Sequence, residues 1–229
     1  MRADDATRTS YLRKVAGLTL AGLTISAFTG TLSAGVIAMA PGLFANQIVS
    51  LVIILGAYGY ANWIAQKMVF SDSSATRTLG FVTGTVAQGV AMGYLLLQAV
   101  VMGSVALGNP FAFIAQAMGL VALSAGGMLL YLMTGPKELS YVKGALSIMF
   151  MPMLALMAIS FVFPIGGPMG LLISFVFVGV SAAGLLYQMN FVMHNLRTDQ
   201  HVGGAYTVTM GLLILFWNLL TLLMRMNRR

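Results

Sequence analysis

The strongest constraint on this chain is a recurrence. Seven apolar runs follow one another, each at or above the roughly 20 residues that a helix needs to cross the hydrocarbon core of a bilayer. They extend from Lys14 to Ala40, Gln47 to Phe70, Thr76 to Ala106, Asn109 to Thr134, Val142 to Phe163, Met169 to His194 and Gly203 to Met224. In lipid every backbone polar group must find its partner within the protein, and a helix does this within a single segment. The expected fold class is therefore all-α, a polytopic membrane protein with seven transmembrane helices. Composition agrees: 59% of the 229 residues are hydrophobic and 7% charged, with mean hydropathy +0.92, where soluble domains average roughly 45–50% apolar and about 25% charged. The domain reading is a cytoplasmic N-terminal segment over residues 1–13, one transmembrane domain over 14–224 and a short basic tail over 225–229. The opening MRADDATRTSYLRK is polar for too long, and the apolar run behind it is too long, for a cleaved signal peptide, so the first span is expected to be kept.

Charge fixes the expected orientation. Of the 12 basic residues, Arg2, Arg8, Arg13 and Lys14 precede or open the first span. Lys67 and Arg77 flank the second loop, Lys137 and Lys143 the fourth, and Arg197 lies in the sixth. The first, third and fifth loops carry none. By the positive-inside rule the N-terminus and the even loops are cytoplasmic. Arg225, Arg228 and Arg229 follow the seventh run and oppose that rule, so either this helix crosses fully or it turns back; its length favours crossing. The net charge of +7 serves orientation, and no nucleic-acid partner is expected. All five acids, Asp4, Asp5, Asp72, Glu138 and Asp199, fall in the same polar segments, which leaves the membrane interior without formal charge.

The usual catalytic sets cannot be assembled. There is no cysteine, and the two histidines, His194 and His201, flank one polar loop, which argues against a metal site. Neither a Ser-His-Asp set nor a membrane aspartate pair can form, and no phosphate loop is present. No enzyme activity and no cofactor are expected. What remains inside the membrane is neutral and polar: Asn62, Gln66, Gln88, Gln98, Gln116, Tyr187, Gln188, Asn190, Thr207, Asn218 and Thr221. Of these, Gln188, Asn190, Thr207 and Asn218 are the candidate bundle-centre positions. Thr207, Gly211, Ile214, Asn218 and Thr221 share one helical face, expected to point inward. Gly80, Gly84 and Gln88, and separately Gly89 and Gly93, have the spacing of close helix packing. Pro152 is expected to kink the fifth helix. Trp63 and Trp217 suit interfacial anchoring, and the 18 methionines read as apolar filler.

Five segments together resemble the Bax inhibitor-1 (transmembrane Bax inhibitor motif) family: YLRKVAGLTLAGLTISAFTG, LGAYGYANWIAQK, TGPKELSYVKGAL, LLYQMNFVMH and LILFWNLLTLLM. The resemblance covers nearly the whole chain and is nearest the bacterial branch that includes the modulator of the membrane protease FtsH. It implies six helices around a central seventh, and a bacterial inner-membrane location. One branch of the family is a pH-sensitive calcium leak built on an acidic residue late in helix six paired with another on helix seven. Here those positions are Gln188 and Leu215. An amide does not titrate and compensates Ca²⁺ charge weakly. The expectation is thus a non-enzymatic protein that binds the lipid bilayer and other membrane proteins, such as an FtsH-like protease complex or a larger assembly. The alternative is a calcium or cation leak through the same fold.

Overall fold

A computed structural model describes residues 5–40, 42, 47–135, 138–139, 141–146, 148 and 166–227. The described chain is helical. Helix α1 covers Asp5–Met39. Helix α2, Gln47–Gly59, passes through a π-helical turn, Tyr60–Ala65, into the short α3, Gln66–Val69. There follow α4 (Ser74–Leu107), α5 (Ala112–Met133), α6 (Gly167–His194) and α7 (His201–Met226). Among the described residues six helical stretches are long and apolar enough to cross a membrane. They coincide with six of the seven expected spans. The fifth, Val142 to Phe163, lies largely outside the described residues, as does Pro152; of it, 142–146 and 148 are helical.

Local signals account for the helix limits. The Ser73 hydroxyl accepts from the Thr76 N–H at 3.4 Å and caps the start of α4. That helix ends where Gly108 takes φ 64°, a left-handed conformation that glycine adopts without a Cβ penalty. Helix α1 begins well before the first apolar residue of its span because the polar segment from Asp5 continues the same helix.

Among the described helices α7 is the most enclosed. Half of its most apolar stretch is buried, against 11% for α5, and it packs against α1, α3, α4, α5 and α6. Two apolar clusters meet on it. One joins Tyr11 and Val15 of α1, Ala61 and Ala65 of the π turn, Phe81 and Met92 of α4 and Tyr206, Met210 and Leu213 of α7. The other joins Leu95 and Ala99 of α4, Phe113 and Ala117 of α5, Leu185 and Met189 of α6 and Leu212, Leu215, Leu219 and Leu220 of α7. Lipid tails are as apolar as leucine, so these clusters hold by close packing rather than by removal from water.

Close packing is most evident between α1 and α4, which run parallel. Gly22 faces Phe81, the Ser26 hydroxyl donates to the Thr85 carbonyl at 2.8 Å, Gly30 faces Gly89, and Gly93 faces Ser33. Steps of one helical turn match on both helices, so the contacts repeat over three turns. At Gly89 an added Cβ would lie 2.5 Å from the Ser26 carbonyl oxygen. The glycines at packing spacing on α4 therefore serve contacts within this chain.

Both ends of the α6–α7 pair are tied by arginine. At one end Arg8 donates from Nε to the Met193 carbonyl at 3.0 Å, from Nη1 to Leu196 at 2.7 Å and from Nη2 to Val192 at 3.0 Å. It thereby satisfies the orphan carbonyls at the C-terminus of α6 and opposes the negative end of its dipole. At the other end Arg225 donates to the Gly170 carbonyl at 2.6 Å. Helix α7 thus runs the full length of the bundle, antiparallel to α6, and does not turn back.

Candidate functional site

The sequence directs attention to the seam between α6 and α7, where Gln188 and Leu215 stand. Leu215 is 1% exposed and packs among Leu185, Met189, Leu212, Leu219 and Leu220. Gln188 reaches toward Gly211: a Cβ on Gly211 would collide with the Gln188 Oε1 and come within 3.0 Å of a Leu185 methyl. Glycine at 211 thus lets the amide lie against the α7 backbone. The Gln188 Oε1 is enclosed and has no hydrogen-bond partner among the described residues. Asn190, 6% exposed, lies on the neighbouring part of α6, and the Tyr187 ring stacks on Phe191 at 6.5 Å.

The polar stripe on α7 is placed differently from its expected position. Gly211 is buried, while Thr207, Ile214, Asn218 and Thr221 are half-buried; the enclosed side carries Ala205, Thr209, Leu212, Leu215, Leu219 and Leu220. The Thr207 hydroxyl donates back to the Gly203 carbonyl at 2.9 Å and Thr221 to Trp217 at 2.8 Å. Threonine can satisfy itself within its own helix, so its position alone does not mark the face that packs. Trp63 is 66% exposed, and Trp217 is half-buried against both clusters.

Three arrangements were not read from the sequence. One is the Arg8 cap of α6, which joins residues 184 to 188 positions apart. Another is the Tyr206 hydroxyl bonded to the Ala61 carbonyl within the π turn. The third is a set of buried hydroxyls on the three helices that converge at Gly22, Phe81 and Thr209: Ser26, Thr85 and Thr209, each at most 1% exposed, with Gln88 one turn beyond Thr85 on α4. A tyrosine in the apolar body of α7, and serine or threonine among the glycines of α1 and α4, were the available signals. The seam itself offers amides, hydroxyls and close-packed leucine. It can donate and accept hydrogen bonds, and it contains no carboxylate to titrate or to neutralise a divalent cation.

Comparison with curated proteins and with solved structures gives no match. The profile of the family described as "Inhibitor of apoptosis-promoting Bax1" matches residues 8–229. That match takes in every described helix from Arg8 onward, including the α6–α7 seam and the central α7. This multi-pass membrane protein belongs to the Bax inhibitor-1 family.

Proposed function

We propose that this family member acts without catalysis or ion conduction, by binding other membrane proteins in a bacterial inner membrane with its N-terminus in the cytoplasm. The observation that carries the reading is Leu215, enclosed at 1% exposure in an apolar cluster where the leaking branch needs an acid. Its counterpart Gln188 cannot titrate. A seam of leucine and amide provides no proton-operated gate and no charged site for calcium. The partner class suggested by the resemblance is a membrane protease complex of the FtsH type or a larger assembly. Support for helix-to-helix docking comes from α5, where Gly119, Gly126 and Gly127 have no atom of the described residues within 4 Å of an added Cβ. The second reading, a cation leak past Gln188, Asn190 and Asn218, is favoured by the unpartnered Gln188 Oε1.

Flux measurement separates the two. Purified protein in liposomes is assayed for calcium and proton leak at about pH 6 and pH 8, either side of the ordinary histidine value, beside a Gln188→Asp, Leu215→Asp double variant. A silent parent with a leaking variant supports the binding role. A pH-dependent leak from the parent overturns it.

A further inference from the structure

Gln88 sits on α4 one helical turn beyond Thr85, between Gly84, where an added Cβ would meet Tyr206 of α7, and Gly89, where it would meet Ser26 and Thr29 of α1. Gln88 is 1% exposed, and its Oε1 is enclosed with no hydrogen-bond partner among the described residues. An amide oxygen buried without a donor costs about 1–3 kcal/mol, which makes the chemistry around it decisive.

The surrounding hydroxyls cannot supply that donor. Ser26 spends its proton on the Thr85 carbonyl at 2.8 Å. Thr85 spends its own on the Phe81 and Val82 carbonyls at 2.8 and 2.9 Å. Thr209 donates to the Ala205 carbonyl at 2.8 Å, and Thr19 approaches the same oxygen at 3.4 Å. A hydroxyl has one proton to give and two lone pairs to offer. The junction therefore has acceptors to spare and no free hydroxyl donor. The three helices converge here, since a Cβ on Gly22 of α1 would lie 3.0 Å from both Phe81 of α4 and Thr209 of α7.

Such a lining selects a donor, and charge decides which kind. A bare cation would need a counter-charge to offset its desolvation, and the membrane-spanning part of the sequence has no acid to give one. A neutral donor with two protons and two lone pairs carries no such penalty. We propose that the α1–α4–α7 junction is a binding site for an internal water molecule that donates to the Gln88 Oε1, with the lone pairs of the neighbouring hydroxyls completing its partners. Buried waters typically make two to four such bonds.

The test uses the sulfur reporters already in place. Met92, 3% exposed, lies one turn beyond Gln88, and Met210, 5% exposed, adjoins Thr209; Met224, 4% exposed, belongs to the other cluster. The full chain in nanodiscs, equilibrated in ¹⁸O-labelled water, is exposed to a pulsed X-ray beam, which makes hydroxyl radicals from bound water in place. Several-fold higher ¹⁸O incorporation at Met92 and Met210 than at Met224 is expected, with the excess lost in Gln88→Leu. Equal labelling at the three methionines, or an excess that survives Gln88→Leu, overturns the proposal. So does a melting temperature raised by sodium or potassium over N-methylglucamine in a Gln88-dependent way, which would make the ligand a cation. If Gln88→Leu does not fold, the comparison of methionines within the parent protein still decides.

Discussion

The hydroxyl of Tyr206 donates a 2.6 Å hydrogen bond to the backbone carbonyl of Ala61, joining the central helix to the π turn in the second span. Phe81 meets the Tyr206 ring edge-on at 6.2 Å, and Gly84 leaves room for the phenol: a Cβ there would lie 2.7 Å from both the Tyr206 ring and Ala65. A π turn is a local departure from the α-helical hydrogen-bond ladder, and here a side chain from another helix takes one of its carbonyls.

Tyr206→Phe removes that donor while keeping the ring. Ala61 is 0% exposed, so its carbonyl loses a partner out of reach of solvent. The expected cost is about 1–3 kcal/mol, read as a lower melting temperature in detergent. In a Trp217→Phe background Trp63 is the sole tryptophan and lies inside the turn, so its emission should shift as the turn relaxes. Unchanged melting and emission would show that the π turn does not depend on Tyr206.

The glycines of α4 and α5 should answer differently to the same change. Gly89→Ala forces a methyl against the Ser26 carbonyl and the Gly30 amide of α1, backbone atoms that cannot swing aside. The expected loss is about 1–3 kcal/mol or more. Gly126→Ala meets nothing within 4 Å among the described residues and should be neutral, or stabilising by up to about 1 kcal/mol through helix propensity. Equal effects at the two sites would contradict the α1–α4 interlock.

At the α6–α7 seam, packing should matter more than polarity. Leu215→Ala empties a site with 1% exposure and should cost about 2–5 kcal/mol. Asn218→Leu, on the half-buried stripe, should change the melting temperature little. A larger loss at Asn218 would place the stabilising contact on the polar face instead.

Arg8→Ala should unfasten the end of α6. Three carbonyls lose a charged donor, at an expected cost of about 2 kcal/mol. Amide exchange should rise first in α7 behind Leu196 and in the last turn of α6. Arg8→Lys should recover only part, because an ammonium lacks the planar fork that reaches several carbonyls at once. Full recovery by lysine would reduce the contact to simple charge.

The sequence by itself determined the class and the course of the chain. Apolar runs of bilayer length specify helices without reference to any neighbour, and six of them reappear, five at nearly their expected limits and the first beginning earlier, at Asp5. It also showed that the apolar runs carry no acid, since the absence of a residue type needs no coordinates. The tertiary structure decided which face of each helix is inside. In lipid the outward face is as apolar as the inward one, so periodicity carries little information about α7, and Thr207 and Asn218 proved half-buried while Thr209 and Leu215 are enclosed. It also decided the contacts between distant residues: Arg8 on the carbonyls of α6, Tyr206 on Ala61, and the interlocked glycines of α1 and α4. Each depends on the distance between two backbones, which no single helix encodes.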